Sequence, residues 1–478
     1  MNYSMIKYVL GWLLLFMGVF LAVPLITAAA FLESAFFAFL VVMLGSLGLG
    51  LLLIIKKPKS TEIYAREGFV IVSLSWIVLS LVGAVPFMLC GCTDSFVDAL
   101  FESASGFTTT GASIFSTVEQ LPKSILMWRS FSHWIGGMGV LVFIMAFLPL
   151  GGGQNMHIMR AESPGPSVSK LVPRVKNTAI ILYIIYFAFT LVMFVSLLIS
   201  GMNVFESMNT AFATAGTGGF GFKNDSFAST TAAQQIIVTV FMLLFSINFN
   251  SYYLILKLRP KEAFNSEVKA FVIIVVVAIG AITINISPMF ESVWDALRHS
   301  AFTVASLIST TGFSTADFNL WPYFAQTALV LIMFVGACAG STGGGIKVSR
   351  ILILFKGMLR ELGAIIHPRQ VKKITIDKKP VEREVIRSVN AYITTFIAIF
   401  TVSLIAISFD NLDLTTSFTA VTATINNIGP GLGGVGPTSS FAVFSPFSKL
   451  VLTFNMLAGR LELFPMLLLF APSTYRKS

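Results

Sequence analysis

The sequence predicts an all-α integral membrane protein with ten transmembrane helices. The first observation is composition: 55% of the 478 residues are hydrophobic and 11% are charged, whereas soluble domains carry about 25% charged residues. The second is a series of apolar runs near 20 residues long, the length that crosses a bilayer. The third is the placement of the basic residues, which cluster in alternate connections between these runs.

The apolar runs define ten predicted spans. They cover residues 8–30, 34–55, 68–90, 128–150, 178–200, 233–257, 268–289, 323–359 (interrupted), 388–408 and 446–472. The first run is too long for the apolar region of a signal peptide, and a second run follows at once. We therefore expect it to remain in the protein as a membrane helix.

The basic residues predict the orientation of these spans. With the N-terminus inside, five basic residues fall in outside connections: Lys123, Arg129, Lys223, Arg298 and Lys449. All others except Arg460, which lies in the last span, fall in inside connections, as the positive-inside rule requires. Both termini are therefore predicted to be cytoplasmic. The net charge of +10 reflects this topology, and no nucleic-acid partner is expected.

Four outside connections contain a repeated segment that is too short to cross a bilayer. Each opens with an acidic residue or helix cap, continues as a short apolar helix, and ends in a Thr or Asn step followed by glycine. The segments are Ser95–Ser113, Val204–Phe222, Val293–Phe318 and Leu414–Gly434; the opening residues are Asp98, Glu206, Asp295 and Asp413; the matching glycines are Gly111, Gly219, Gly312 and Gly429.

The matching glycines lie about 100 residues apart, so the unit is span, pore helix, glycine strand, span, and it occurs four times. The predicted organisation is two additional N-terminal helices (1–60), repeat 1 (61–165), repeat 2 (166–262), repeat 3 with a broken second helix (263–370) and repeat 4 (371–478). We expect the four repeats to surround a central pore.

Glycine strands at membrane depth favour a cation pathway. Irregular backbone is tolerated there only where it is packed in protein or lines a cavity, and glycine permits conformations that turn carbonyl oxygens towards an axis. A ring of carbonyl oxygens can replace the hydration shell of a cation. The pore helices enter from outside, so their negative C-terminal ends point towards the membrane centre. Threonine hydroxyls beside the glycines can cap these helices or add oxygen ligands.

These motifs resemble the Trk/Ktr/HKT superfamily of cation transporters, and within it the TrkH-type membrane subunit. The resemblance covers nearly the whole chain. The family-like sequences are TTTGAS at Thr108–Ser113, TGGFG at Thr217–Gly221, TTGFST at Thr310–Thr315, NNIGPGLG at Asn426–Gly433, HWIGGMGV at His133–Val140 and CAGSTGGGIKVSR at Cys338–Arg350. The two additional N-terminal spans favour the TrkH type over the shorter Ktr type.

The resemblance implies K⁺ selectivity and a selectivity filter built from the four glycine strands. The implied filter residues are Thr109, Thr110, Gly111, Thr217, Gly218, Gly219, Thr311, Gly312, Asn427, Ile428 and Gly429. Of these, K⁺ is expected at Thr110, Gly111, Gly218, Gly219, Thr311, Gly312, Ile428 and Gly429. Glycine at the first filter position goes with K⁺ selectivity in the family, whereas serine there goes with Na⁺ permeation. In the glycine-rich second strand, Gly219 is chosen because Phe220 then matches Phe313.

The interrupted span of repeat 3 contains a glycine-rich loop, Gly336–Gly345, which cannot hold a stable helix because each glycine costs about 1 kcal/mol relative to alanine. We expect this loop to obstruct the pore beneath the filter, with Arg460 holding it or acting as a positive barrier. The expected gating residues are Gly340, Gly343, Gly344, Gly345, Lys347, Arg350 and Arg460. The alternative is a packing hinge, with Arg460 in a salt bridge to Glu462 or another acid.

The expected partners follow from the inside connections and the resemblance. The connection from Lys356 to Arg387 is the longest and most basic, and it could attract anionic lipid or a cytosolic partner. The resemblance implies a homodimer in the bacterial cytoplasmic membrane and a TrkA-type cytosolic nucleotide-binding regulatory subunit. No cofactor other than K⁺ in the filter is expected in this chain.

Three functions remain open from the sequence. The first is a gated K⁺ pore, and the second is a secondary transporter that couples K⁺ to H⁺ or Na⁺. Coupling usually requires buried titratable groups, and the sequence suggests few: Arg460, Glu462 and Lys347. The third is a membrane scaffold or enzyme. The sequence shows no nucleophile–base pair and no metal-ligand cluster, so an enzyme is not expected.

Overall fold

The structure is a computed structural model that describes residues 1–58, 60, 64–137, 139, 175–367 and 373–475. It is built almost entirely of helices. At the N-terminus, α1 (Tyr3–Phe20) and α2 (Ala22–Ala30) form one 28-residue candidate span, and α3 (Ala35–Ile54) returns beside it. The return is close because small residues face each other: a Cβ added to Gly50 would lie 2.9 Å from the Gly11 carbonyl oxygen. Such close backbone approach is typical of helix pairs in membranes.

A common element order recurs after these helices. A long helix leads to a short pore helix, an extended strand and a second, shorter helix. The long helices are α4 (Ala65–Leu89), α7 (Val175–Ile199), α12 (Ser266–Ile286) and α16 (Arg383–Ile407); the pore helices are α5 (Phe96–Phe107), α8 (Val204–Ala215), α13 (Val293–Ile308) and α17 (Leu414–Ile425).

The second helices explain why the predicted number of ten spans is not confirmed. They are α6 (Lys123–Gly137), α9 (Ala232–Ser246), α14 (Tyr323–Val335) and α18 (Pro446–Arg460), with α10 (Phe249–Leu256), α11 (Pro260–Ala263), α15 (Val348–Ile366) and α19 (Phe464–Phe470) following. At 13 to 15 residues, α9, α14 and α18 extend only about 20–22 Å. Within the described residues, six helices are long and apolar enough to cross a membrane, or seven if a bent pair counts as one span.

Two predicted continuous spans are broken in the structure. The span predicted at 233–257 bends by 90° between α9 and α10, because Ile247 is extended and the Asn248 side chain caps the new helix. The span predicted at 446–472 breaks after Arg460, where Glu462 and Leu463 have φ values of 57° and 69°. Hydrophobicity alone did not reveal these breaks, because the longer stretches on both sides of them are mostly apolar. The end of the span predicted at 128–150 lies outside the described residues.

The outer surface of the helices is apolar. On α12, for example, Ile273, Val276, Val277 and Ile284 have 62 to 78% of their surface exposed. In water such a face would be unfavourable, whereas in a bilayer it contacts lipid tails. Together with the long apolar helices, this surface identifies a multi-pass membrane protein.

A small hairpin follows α15 and was not predicted from the sequence. Its strands are β1 (Thr375–Ile376) and β2 (Lys379–Pro380), which pair antiparallel. Asp377 and Lys378 form the turn with φ values of 50° and 63°, as a two-residue hairpin turn requires. The Asp377 carboxylate accepts hydrogen bonds of 2.7 Å from the Ser266 backbone N–H and hydroxyl, which fixes the hairpin to the start of α12. Strands of two residues are too short to give a sequence signal.

Candidate ion pathway

Each pore helix begins with a side-chain cap. Ser95, Asn203, Ser292 and Asp413 each accept a hydrogen bond from the backbone N–H three residues later. The predicted acidic residues Asp98, Glu206 and Asp295 lie in the first turn, whereas Asp413 is itself the cap. Negative charge at a helix N-terminus is favourable. Hydrogen bonds from the Thr416 hydroxyl and N–H lower the pKa of the Asp413 carboxyl, which lies in the outer loop.

Each pore helix also ends in the same way. The residue after the C-cap has a left-handed conformation, with φ of 56° at Thr109, 54° at Thr217, 60° at Thr310 and 55° at Asn427. The next amide donates to the carbonyl five residues earlier, at distances of 2.8 to 2.9 Å, in the pairs Thr110–Ser105, Gly218–Ala213, Thr311–Ser306 and Ile428–Ala423. This is the Schellman motif, and it turns the chain in the same way at the end of each pore helix.

We call the residues that follow glycine strands 1 to 4: Thr109–Gly111, Thr217–Gly219, Thr310–Gly312 and Asn427–Gly429. Their last residues have φ values of 79°, 81°, 87° and 99°, a region that favours glycine. The second strand therefore has Gly219 at the position that corresponds to Gly111, Gly312 and Gly429. All the threonine and asparagine side chains in the four strands are fully buried.

The four strands form a closed ring. A Cβ built on Gly111 would lie 1.9 Å from the Gly218 carbonyl oxygen, and one on Gly219 would lie 1.9 Å from the Thr311 carbonyl oxygen. The Gly312 Cβ would lie 2.1 Å from the Ile428 oxygen, and the Gly429 Cβ 2.8 Å from the Thr110 oxygen. Each glycine thus contacts the carbonyl of the next strand, in chain order, and the fourth returns to the first. A side chain at any of these positions would displace the neighbouring carbonyl.

A cavity of about 100 Å³ lies against this ring, and Gly111, Gly219, Gly312 and Gly429 all line it. Its wall also contains residues that follow the strands, including Ser113, Lys223 and Thr438. These residues belong to the connections predicted to lie outside, so the cavity lies on the predicted outer side of the ring.

The threonine and asparagine side chains of the strands stabilise the ring through hydrogen bonds. The Thr110 hydroxyl contacts the Thr108 hydroxyl at 2.8 Å and accepts from Asn427 Nδ2 at 2.9 Å, which joins strand 4 to strand 1. The Thr311 hydroxyl contacts the Ser309 hydroxyl at 2.6 Å, and the Thr217 hydroxyl donates to the Gly216 carbonyl at 2.6 Å. These hydroxyls support the helix ends and strands through direct protein contacts.

A buried ion pair supports the outer end of strand 1. Arg129 on α6 and Glu102 on α5 are 2% and 0% exposed, and their charged groups are 2.7 Å apart. Glu102 also accepts from the Ile114 N–H at 2.9 Å, and Arg129 donates to the Gly221 carbonyl at 3.2 Å. Residues beyond strands 1 and 2 are thereby tied together. From the sequence, Arg129 is predicted only as a residue of an outside connection, and this pair is not predicted, although a carboxylate within an apolar pore helix is an available signal.

The glycine-rich loop is held against the broken helix of repeat 2. The Cys338 N–H donates to the Ser246 carbonyl at 3.0 Å, and the Phe249 N–H donates to the Gly340 carbonyl at 3.0 Å. The Thr342 hydroxyl donates to the Phe245 carbonyl at 3.1 Å. Positive φ values at Gly336, Gly340 and Gly345, of 71°, 73° and 79°, allow the chain to fold back. The break between α9 and α10 thus creates the surface that receives the loop.

The same loop lies directly beneath the glycine strands. The Gly344 N–H donates to the Thr310 hydroxyl at 2.6 Å. A Cβ on Gly344 would lie 2.4 Å from the Asn426 carbonyl oxygen, and one on Gly343 would lie 2.7 Å from the Ser309 carbonyl oxygen. Both carbonyls are at the ends of pore helices, so the absence of side chains lets the loop approach the lower side of the ring.

Arg460 joins the loop to repeat 1. Its guanidinium donates to the Thr342 carbonyl at 2.9 Å and to the Thr109 hydroxyl at 3.2 Å. It also donates to the carbonyls of Gly136 and Gly137 at 2.6 and 2.9 Å. Arg460 therefore contacts the loop, glycine strand 1 and the end of α6 at once.

Two other basic side chains that were predicted at the loop, Lys347 and Arg350, also bond to protein groups. Lys347, which is 2% exposed, donates to the Gly343 carbonyl. Arg350 forms a salt bridge with Glu462 and stacks on Tyr392 at 4.0 Å. Glu462, which the packing-hinge alternative paired with Arg460, thus pairs with Arg350.

The estimate of few buried ionisable groups was wrong. Besides the residues already considered, the described part of the chain buries Glu67, Glu102, Arg129, His133, Glu267 and Lys449. Lys449 pairs with Asp98 at 2.6 Å. Glu267 accepts from the Ala339 and Ser349 N–H groups at 2.7 and 3.1 Å, so it ties the glycine-rich loop to the first turn of α15. The Lys449–Asp98 pair joins the predicted repeats 4 and 1, and sequence spacing reveals none of these contacts.

Comparison with known proteins agrees with this architecture. Residues 33–477 match the TrkH family, described as "Cation transport protein". The Trk system potassium uptake proteins TrkH of Halomonas elongata and Escherichia coli are 34% and 35% identical over 484 and 487 residues, which cover both chains fully.

The fold agrees as well. The crystal structure of the potassium transporter TrkH from Vibrio parahaemolyticus superposes with a TM-score of 0.90 at 32% identity, and all of both chains is covered. The resemblance drawn from the motifs and the all-α membrane architecture are confirmed. This chain belongs to the TrkH family of cation transport proteins.

Proposed function

We propose that this protein takes up K⁺ through the ring formed by glycine strands 1 to 4. The observation that carries the proposal is the closed contact of each glycine with the carbonyl of the next strand. Backbone oxygens arranged around one axis can replace the hydration shell of K⁺, and the C-terminal ends of four pore helices favour a cation beneath them. The relatives named as potassium uptake proteins support the choice of ion.

In this proposal the ion contacts the two residues at the end of each strand. These residues are Thr110, Gly111, Gly218, Gly219, Thr311, Gly312, Ile428 and Gly429. In all four strands the last glycine has a positive φ, and the amide before it donates to the carbonyl five residues earlier, so the protein can offer similar oxygen ligands from four different sequences. Thr109, Thr217 and Asn427 complete the filter by holding the strand ends.

The glycine-rich loop serves as the gate. Support comes from the bond between the Gly344 N–H and Thr310 directly beneath the ring, and from Arg460, which fixes the loop to repeat 1. Gly340, Gly343, Gly344 and Gly345 permit its close packing, and Lys347 and Arg350 fix the chain where it leaves the loop. Deletion of Ser341–Gly345 should raise K⁺ flux; unchanged or lower flux in a folded variant would contradict a gating role.

Selective permeation is tested with purified protein in liposomes, by comparing K⁺ and Na⁺ flux in the wild type and Gly111→Ser. The serine Cβ would collide with the Gly218 carbonyl oxygen, so the preference for K⁺ should fall. Gly201→Ser is the matched control, because Gly201 has a similar φ of 88° but no atom within 4 Å of an added Cβ. Selectivity that is the same in both variants would refute the assignment of the filter.

Coupled K⁺ symport with H⁺ or Na⁺ is the second candidate, and the buried Glu267 carboxylate at the gate favours it. A symporter would accumulate K⁺ when only a pH or Na⁺ gradient is imposed, whereas a pore would not. Glu267→Gln would abolish that accumulation if this carboxylate carries the coupling.

Regulation is proposed to come from a TrkA-type cytosolic nucleotide-binding subunit acting on a homodimer in the bacterial cytoplasmic membrane, with both termini inside. Support comes from the basic inside connections and from the hairpin attachment between Asp377 and Ser266, the residue before Glu267. Adding the cytosolic subunit to the liposomes should change flux in the wild type, and Asp377→Ala should weaken this response.

A further inference from the structure

His133 on α6 occupies a position that the proposed mechanism has not used. It is completely buried and lies between pore helix α5 and the residues that follow glycine strand 2. Its ring packs against the Phe220 ring at an angle of 37°, with 4.3 Å between the ring centroids. The guanidinium carbon of Arg129 lies 4.0 Å from the centroid of the same Phe220 ring, so Phe220 is held by both residues.

The contacts of the imidazole define its tautomer. The Phe220 backbone N–H donates to Nε2 at 3.2 Å, so Nε2 carries no proton. Nδ1 lies 2.7 Å from the Gly106 carbonyl oxygen, and it must therefore donate its proton there. The neutral ring thus bridges pore helix 1 and the chain immediately after Gly219. Only a side chain with both a donor and an acceptor could keep the two contacts together.

Glycine strand 2 lacks a side chain that the other three strands have, and the His133 imidazole takes its place. The position before the last glycine is Thr110 in strand 1, Thr311 in strand 3 and Ile428 in strand 4, but Gly218 in strand 2. The two threonines brace their strands through hydroxyl contacts, and Ile428 is fully buried. A Cβ on Gly218 would lie 2.2 Å from both Cγ and Nδ1 of His133, so the imidazole fills the space of the missing side chain.

Repeat 4 shows that this histidine is a special feature of repeat 1. Gly136 and Gly459 have matching positions, because a Cβ on either would collide with the carbonyl of the last pore-helix residue, Phe107 or Ile425, at 1.8 and 2.1 Å. Three residues before Gly459 is Met456, which corresponds to His133. An apolar residue suffices at position 456, because glycine strand 1, which lies next to it, already carries the Thr110 side chain.

We infer that His133 is a positioning residue for ion selectivity: it replaces the absent side chain at Gly218 and fixes the Phe220 amide, and thereby the orientation of the Gly218 and Gly219 carbonyls. This inference rests on the proposed function, because it concerns the same filter. It predicts that strand 2 depends on a residue 85 positions away in the sequence, whereas strands 1 and 3 depend on their own hydroxyls.

The test measures the K⁺/Na⁺ permeability ratio of full-length variants in liposomes. His133→Leu keeps the volume but loses both hydrogen bonds, and the ratio should fall about 2- to 10-fold, as expected for bonds of this strength. His133→Gln, which keeps a donor and an acceptor, should retain most of the wild-type ratio. Met242→Leu, a substitution of a buried residue on α9, is the control and should leave the ratio unchanged.

A compensation experiment distinguishes positioning from general packing. Gly218→Thr alone should lower the K⁺/Na⁺ permeability ratio, because the new side chain collides with the His133 imidazole. In His133→Ala/Gly218→Thr the imidazole atoms that collide are removed. The threonine can then support strand 2, as Thr110 and Thr311 support strands 1 and 3. The double variant should therefore be more selective than either single variant.

Two results would overturn the inference: a wild-type ratio in folded His133→Leu, or a double variant that is no more selective than the better of the two single variants. If His133→Leu does not fold, the comparison of Gly218→Thr with the double variant still decides. Gly111→Ser distinguishes a failure of this inference from a failure of the filter assignment. If it changes selectivity while the His133 variants do not, the filter stands and this inference fails; if Gly111→Ser has no effect, the filter assignment itself fails.

Discussion

Replacement of Arg460 by glutamine tests how the glycine-rich loop is held. The substitution removes the positive charge and the bond to the Thr342 carbonyl, which is 2.9 Å long. A hydrogen bond from a charged group contributes about 1.5–3 kcal/mol, so the ratio of open to closed loop should rise about 10- to 100-fold. While the closed form predominates, K⁺ flux should rise by the same factor.

The assay is K⁺ flux in liposomes, measured together with the K⁺/Na⁺ ratio because Arg460 also contacts Thr109 in strand 1. Thr342→Val is a graded comparison: it removes one neutral hydroxyl bond to Phe245 but leaves the Thr342 carbonyl in place. Its effect should be smaller, about 2- to 10-fold. Arg298→Gln, at the outer end of a pore helix, is the control for charge removal.

Unchanged or lower flux in folded Arg460→Gln would refute the role of this arginine in closing the gate. A fall in selectivity without a rise in flux would instead assign Arg460 to support of strand 1. An effect of Thr342→Val equal to that of Arg460→Gln would show that the loop is held by its contact with α9, and not by the bridge to repeat 1.

Three further perturbations have clear expectations. Gly312→Ala should reduce K⁺ selectivity more than Gly429→Ala, because the added Cβ would lie 2.1 Å instead of 2.8 Å from the nearest carbonyl oxygen; equal permeability ratios would contradict this ranking. Arg129→Met should lower the free energy of unfolding by about 3–5 kcal/mol, because it leaves the buried Glu102 carboxylate unpaired, and thermal unfolding in detergent should detect this, with a smaller loss in Arg129→Met/Glu102→Gln. Asp413→Ala should cost about 1 kcal/mol by removing a helix cap, whereas Asp413→Asn should restore most of the lost thermal stability.

The glycine strands could be predicted because their signal is local and occurs four times. A short apolar helix after a cap, followed by Thr or Asn and then glycine, specifies a helix end and a left-handed turn from neighbouring residues alone. The matching of Gly219 with Gly111, Gly312 and Gly429 required only the comparison of Phe220 with Phe313. The structure gives these four glycines similar positive φ values.

The second helices and the supports of the ring could not be predicted in the same way. Apolar sequence on both sides of Ile247 or Leu461 reads as one span, and the breaks depend on contacts with distant segments. Phe220 bonds to His133, 87 residues earlier, and Arg460 bonds to Thr109, 351 residues earlier. Such pairs lie in different repeats, so neither spacing nor periodicity brings them together before the repeats are arranged in space.

The four repeats keep one backbone geometry while their side-chain supports differ. The outer end of strand 1 depends on the Glu102–Arg129 pair, strand 2 on His133, strand 3 on Ser309 and strand 4 on Asn427, whose Nδ2 also donates to the Met456 carbonyl at 2.9 Å. Since a cation in the ring would contact backbone oxygens, the backbone is what must stay constant. Different supports can therefore coexist with one ring, and the glycine-rich loop of repeat 3 packs against the ends of pore helices α13 and α17, next to strands 3 and 4.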